Sequence, residues 1–176
     1  DVAYVKSDTD LNKERIILTG VTGTRNILET MSDNSKIIFP STHVVFEGFD
    51  KIVKNINESV IPCPRLTYAV NKRDSEIDII NSAKKFVILR LGSVYGYSSD
   101  TMRIGIMPNL FSKITSMDGE ISLFGGGVQL KSLVNIKDVA RCFKFFEEDS
   151  KNINEIFHVS NENTTVSKVA EICKSI

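Results

Sequence analysis

The run Phe86-Val87-Ile88-Leu89-Arg90-Leu91 constrains this chain more than any other stretch. It is short, apolar at nearly every position, and followed by turn residues (Gly92, Ser93, Gly96, Ser98, Ser99). An alternating run would leave one face of a strand to water. A continuous one needs both faces covered, as in a parallel sheet flanked by helices. Lys36-Ile37-Ile38-Phe39 repeats the pattern after the turn cluster Ser32-Asp33-Asn34-Ser35, and it runs into a polar loop, Pro40-Ser41-Thr42-His43. Ligands of open parallel sheets bind at the carboxyl ends of strands. A helical segment at about 65–83 separates the two runs. Helix, strand, helix, strand in this order predicts an α/β fold built on a parallel sheet.

The remaining segments extend that reading. Asp1 to about Met31 reads as mostly helical, with Ile16, Ile17, Thr24, Ile27, Leu28 and Met31 approximating one stripe. Gly20 and Gly23 interrupt it, a sign of close packing or of a break. Residues 44–64 form an irregular excursion rich in turn formers (Gly48, Asp50, Asn55, Asn57, Pro62-Cys63-Pro64). Loops of this length in a compact domain usually carry function. Further on the pattern predicts a helix over 108–116, a strand over Glu120–Phe124 ending at Gly125-Gly126-Gly127, and an extended stretch over 130–136. A helix over 139–146 capped by Asp138 follows, then a strand over 156–160. The closing helix is capped by Thr165, its apolar positions being Val166, Val169, Ile172 and Cys173 or Ile176.

The 22 basic and 22 acidic residues cancel, which leaves no electrostatic footprint for nucleic acid or an anionic membrane. No apolar run approaches the roughly 20 residues of a membrane span. Cys63, Cys142 and Cys173 are odd in number and lack CxxC spacing. They argue against a disulfide framework or zinc, read as core fillers, and fit a reducing cytoplasm. With His43 and His158 the only histidines and no HExxH, no metal is expected. The chain opens at Asp1 without methionine or signal peptide, and an N-terminal piece is expected to precede it.

The segment Leu66-Thr67-Tyr68-Ala69-Val70-Asn71-Lys72 carries the most specific chemistry. On a helix, Tyr68 and Lys72 project from the same face one turn apart. A phenol ordinarily titrates near pH 10, and an ammonium close by favours the phenolate and draws that value toward neutrality. The pair can therefore exchange a proton. By itself the spacing is also that of two neighbours on a solvated helix face.

Taken together, several segments resemble the extended short-chain dehydrogenase/reductase family, the NAD-dependent nucleotide-sugar epimerases and dehydratases. Gly23-Thr24-Arg25-Asn26-Ile27-Leu28-Glu29 is similar to its GTxNLLE helix. Ile38 through Phe46 is similar to IFxSSxxVYG. Pro64, Tyr68-Ala69, Lys72 and Glu76 resemble P…YAxSKxxxE, and Leu89-Arg90 with Ser93-Val94-Tyr95-Gly96 resembles LRxxNVYGP. Phe124 through Ala140 resembles FGxGxQxRDFVxVxDVA. The five stretches occur in family order and cover nearly the whole chain.

The resemblance implies the C-terminal portion of a Rossmann-like doubly wound parallel sheet over residues 1–96, carrying the catalytic residues and part of the NAD site. It implies a small α/β substrate lobe over 97–176, with a returning strand near 156–160. Catalytic roles fall to Thr42, Tyr68 and Lys72, and cofactor contacts to Pro40, Ser41, Tyr68, Lys72 and Leu91. Substrate contacts fall to Thr42, Ser93 and Lys131, the last being either a phosphate contact or an exposed lysine. The implied activity is NAD-dependent epimerisation or reduction of a nucleotide sugar, with NADP as the other possible cofactor. Homodimers would form through helices at about 10–31 and 65–83.

Departures from the family pattern matter as well. No GxxGxxG turn precedes the Lys36 strand, and Gly125-Gly126-Gly127 comes too late to be one. Gly20 stands where the family usually has Asn. Ser93 replaces an Asn, Lys131-Ser132 replaces Arg-Asp, and His43-Val44 replaces the Asp-Glu of dehydratases, which argues against dehydration. His43 reads as a loop residue, and Tyr95 as packing. A cofactor-deficient fragment or relative serving as a dimerising module is the other reading.

Overall fold

A computed structural model describes residues 10–51, 53–100 and 102–175. The chain is mixed α/β with a parallel sheet. One three-stranded sheet has the order β1 (Lys36–Thr42), β2 (Lys85–Leu91), β5 (Glu155–Val159). Its middle strand is the run from which the fold was read. Phe86 through Arg90 are all buried, Phe86 and Ile88 packing with Leu28 and Ile79, while Val87 and Leu89 are fully enclosed. The two buried faces account for the absence of alternation.

The chain divides into two compact units. The first runs up to Arg90 and adds Phe145–His158. Its helices are α1 (Asp10–Ile17), α2 (Gly23–Thr30) and α3 (Thr67–Asn81). Between α1 and α2 lies a π-helical turn, Leu18–Thr22. The single helix expected to Met31 is therefore interrupted, and residues 1–9 lie outside the described residues. Gly20 sits in that turn where α3 passes closest: a Cβ there would fall 1.9 Å from Asn71 Oδ1. The buried Asn71 amide in turn donates to the Ile16 carbonyl at 2.8 Å.

β1 extends beyond Phe39 through Thr42, so Pro40-Ser41-Thr42 is strand rather than loop. Proline lacks the ladder donor, and β1 is an outer strand among those described, where that loss is tolerated. The described residues of 44–64 are irregular as expected, entered through a 3-10 turn, His43–Phe46. Gly48 N donates to the Cys63 carbonyl at 2.7 Å and Cys63 N to the Val45 carbonyl at 2.9 Å, which ties the excursion back on itself. The Cys63 side chain is exposed, contrary to the core role expected for it.

The second unit comprises Leu91–Lys144 and Val159–Ile176. Its sheet has the order β3 (Ser93–Tyr95), β4 (Leu130–Asn135), β6 (Glu162–Thr165). β3 runs parallel to β4 and β6 antiparallel to it. The helices α4 (Met107–Thr115) and α6 (Val166–Lys174) supply Phe111, Val169, Ala170 and Cys173 to a core completed by Leu133 of β4. Tyr95 packs against this cluster, as read from the sequence.

Several expectations change here. Glu120–Phe124 forms no strand: Ile121 and Leu123 lean on the core and their neighbours face water, but no ladder partner lies alongside among the described residues. Ser93, expected in a turn, instead opens the strand β3. Asp138 lies inside the first turn of α5 (Ile136–Glu148), paired with Arg141 at 2.8 Å. The cap is Asn135, whose Oδ1 accepts from Lys137 N at 2.9 Å. Thr165 does cap α6, accepting from Lys168 N at 3.2 Å. Ile172 is exposed rather than packed, and Ile176 lies outside the described residues.

Candidate active site

Tyr68, Lys72 and Glu76 follow one another at four-residue intervals along α3, and so share one face of the helix. The chain reaches that helix through Leu66, whose extended backbone leaves its N–H to the Glu47 carboxylate at 2.7 Å. What the helix face meets is the carboxyl end of β1. Lys72 Nζ donates to the Pro40 carbonyl at 2.8 Å and stands 4.6 Å from the centre of the Phe39 ring. Burial holds the Lys72 ammonium below its ordinary titration range, and the Glu76 charge offsets only part of that. A lysine so placed loses its proton more readily than a surface one.

The residues after Pro40 turn inward. Ser41 and Thr42 are buried at 4% and 7% exposure. Ser41 Oγ donates to Glu76 Oε1 at 2.5 Å. Thr42 Oγ1 accepts from Val44 N at 3.2 Å and caps the 3-10 turn, which leaves its proton as the donor. Glu76 is wholly buried, and it also accepts from Arg90 Nε and Nη2 at 2.9 and 2.8 Å and from Arg73 at 3.0 Å. Burial pushes its carboxyl up, but the hydrogen bonds from Arg90 and Ser41, with Arg90's charge and Arg73's bond, outweigh that and hold it below the usual carboxylate range. Arg90 is itself 2% exposed and faces the Phe46 ring at 5.2 Å.

The first unit thus brings together Pro40, Ser41, Thr42 and Lys72, with Tyr68 half-buried one turn before Lys72. Leu91, Ser93 and Lys131 belong to the second unit. There Ser93 is half-buried on β3 and Lys131 exposed on neighbouring β4. The ion cluster of Glu76, Arg90 and Arg73 was not singled out from the sequence. Its signal was present: an arginine inside an apolar run must find a buried partner, and a carboxylate is the group that can pair with it.

The residues fit NAD at one end. A lysine and a tyrosine beside the carboxyl end of a strand suit the nicotinamide ribose, whereas the described residues include no glycine-rich turn opening onto a helix N-terminus for the pyrophosphate. Gly125, Gly126 and Gly127, all with left-handed φ, lead into β4 instead. Among the described residues no cluster of His, Cys, Asp or Glu could hold a metal ion, and no helix is long and apolar enough to cross a membrane.

Residues 4–160 match the NAD dependent epimerase/dehydratase family. The chain belongs to that family. No curated protein sequence matches it significantly. Among solved structures it is similar to the UDP-glucose 4-epimerase of Thermotoga maritima, solved with UDP-glucose, at 23% identity and a TM-score of 0.80, over 97% of this chain and 55% of that one. It is similar to the UDP-glucuronic acid 4-epimerase of Bacillus cereus, solved with UDP-glucuronic acid and NAD, at 22% identity and 0.82, over 98% and 55%. Pal of Bacillus thuringiensis matches at 22% and 0.83, over 98% and 57%. At these identities the likeness establishes the Rossmann-type fold. The chain spans a little over half the length of these proteins.

Proposed function

We propose that the protein is an NAD-dependent nucleotide-sugar epimerase, with Tyr68 as acid and base at the reacting hydroxyl. The observation that carries this is the α3 face, on which Tyr68 stands one turn before a half-buried Lys72 tied to the Pro40 carbonyl at the end of β1. Family membership and the fold shared with two 4-epimerases support it.

Bound NAD supplies a hydride acceptor that can return the hydride. The chain's own residues handle the proton and the orientation. Tyr68, its phenol acidified by the Lys72 charge, takes the proton of a sugar hydroxyl as that carbon is oxidised, and gives it back on reduction. Thr42 donates a hydrogen bond to the same oxygen and holds it in line. Pro40, Ser41 and Leu91 line the cofactor, and Ser93 and Lys131 contact the nucleotide sugar. NAD rather than NADP, a cytoplasmic location and a homodimer complete the reading. The dimer is supported by exposed apolar side chains along α1 to α3, among them Leu18, Ile27, Val70, Ile77 and Ile80.

The test is to incubate the complete protein with NAD and UDP-glucose, or UDP-glucuronic acid, and follow the C4 proton by NMR. The expected result is an equilibrium mixture of C4 epimers with no net consumption of NAD. Net reduction of the cofactor marks an oxidoreductase instead. A second reading, a non-catalytic dimerising module, rests on the exposed apolar side chains along α1 to α3. Calorimetric titration of the complete protein separates the two: micromolar NAD binding supports the enzyme, and its absence supports the module.

A further inference from the structure

None of the proton steps above uses Glu76, although it accepts hydrogen bonds from three separate side chains. It is fully buried, Arg90 forks onto both its oxygens, Arg73 adds a bond, and Ser41 Oγ reaches it at 2.5 Å. Buried ion pairs seldom stabilise more than apolar packing of similar volume does. The spacing suggests what this one does. Glu76 lies one turn past Lys72 on α3, and Ser41 one residue past Pro40 on β1. The Lys72–Pro40 and Ser41–Glu76 bonds are therefore two adjacent rungs between one helix face and one strand end. Arg90, on the neighbouring strand β2, holds the second rung from the other side. The next residue along β1 is Thr42.

We propose that Glu76, clamped by Arg90, is a positioning residue: by holding Ser41 it fixes the carboxyl end of β1, and with it the Pro40 carbonyl that holds Lys72 and the Thr42 hydroxyl. The proposal rests on the acid–base reading of Tyr68 and Lys72 and adds a named residue that sets their geometry. Misplacing reacting groups by about 1 Å can cost on the order of 10²-fold in rate.

Ser41→Ala in the complete protein removes the second rung and leaves the Arg90–Glu76 pair intact, so it avoids stranding a buried charge. The expected result is a loss of roughly 10- to 100-fold in kcat, with KM for the nucleotide sugar nearly unchanged. Ser41→Thr, which keeps the hydroxyl, should recover most of the loss. In a Tyr68→Phe background the same Ser41→Ala change should cost less, because Lys72 acts through that phenol and Thr42 aligns the oxygen whose proton it takes. Wild-type kcat in Ser41→Ala overturns the proposal, as does a loss that persists undiminished in the Tyr68→Phe background. The acid–base reading fails on a different result, wild-type turnover in Tyr68→Phe alone. Amide hydrogen exchange across residues 39–44 needs no turnover: faster exchange in Ser41→Ala supports the rung, and unchanged exchange overturns it.

Discussion

Lys72 is buried enough for its ammonium to be held below the ordinary lysine range, yet it keeps one carbonyl acceptor. The Pro40 carbonyl and the Glu76 charge favour the ammonium that has to act on the neighbouring phenol, against the burial that disfavours it. Lys72→Met should therefore lower turnover and weaken NAD binding, and the pH optimum of the residual activity should move alkaline, because the phenol returns toward about 10. A pH–rate profile of the variant checks this; an unshifted optimum would uncouple the two residues. His158 gives a prediction about stability. Its Nε2 is buried with no hydrogen-bond partner among the described residues, and its ring stands edge-on to Phe46 at 5.4 Å. Burial lowers its titration point, the Glu58 charge opposing only in part. The unfolded chain then binds the proton more readily, so stability is full above about pH 6.5 and falls as the pH drops below that toward the folded value. Urea unfolding at pH 7.5 and 5.5 should show the loss in wild type and a smaller one in His158→Phe.

The first three elements depend on close passage between helices. At Gly20 an added Cβ would overlap Asn71 Oδ1, and relieving that contact would pull the amide off the Ile16 carbonyl. Leaving a buried polar group unpaired costs about 1–3 kcal/mol, against a helix-propensity gain of roughly 1 kcal/mol for alanine over glycine. Gly20→Ala should thus be destabilising by up to about 2 kcal/mol, measured as a lower urea midpoint with an unchanged slope. Which elements could be read from sequence follows from where their stabilisation arises. β1 and β2 are apolar runs whose burial is written in their own residues, and α3 carries its chemistry at a fixed spacing. β3 and β6, three and four residues long, are strands only because they pair with β4, from Ser93 opposite Leu133 to Glu162 opposite Leu133 on the other side. Glu120–Phe124 shows the converse, an alternating run with no partner strand among the described residues. The Glu76 cluster joins residues on α3, β1 and β2, and that juxtaposition exists only once the sheet has formed.

Across the whole molecule, Leu18 and Ile27 are 66% and 55% exposed on the helical layer formed by α1 to α3. Such side chains on several neighbouring helices suit pairing with a second copy. Sedimentation velocity of the complete protein should give a dimer, and Leu18→Glu with Ile27→Glu should shift it to monomer; a wild-type monomer would contradict the homodimer. The two 4-epimerases and this chain share a fold at 22–23% identity, so the chemistry must be tested in its own residues. The direct measurement compares turnover of UDP-glucose and UDP-glucuronic acid by the complete protein and by Tyr68→Phe at saturating NAD, with NAD affinity measured alongside. Epimerisation by wild type, reduced about 10²–10⁴-fold in the variant with NAD affinity retained, is the predicted result. Equal rates in the two proteins would contradict the assignment of Tyr68 as the acid and base.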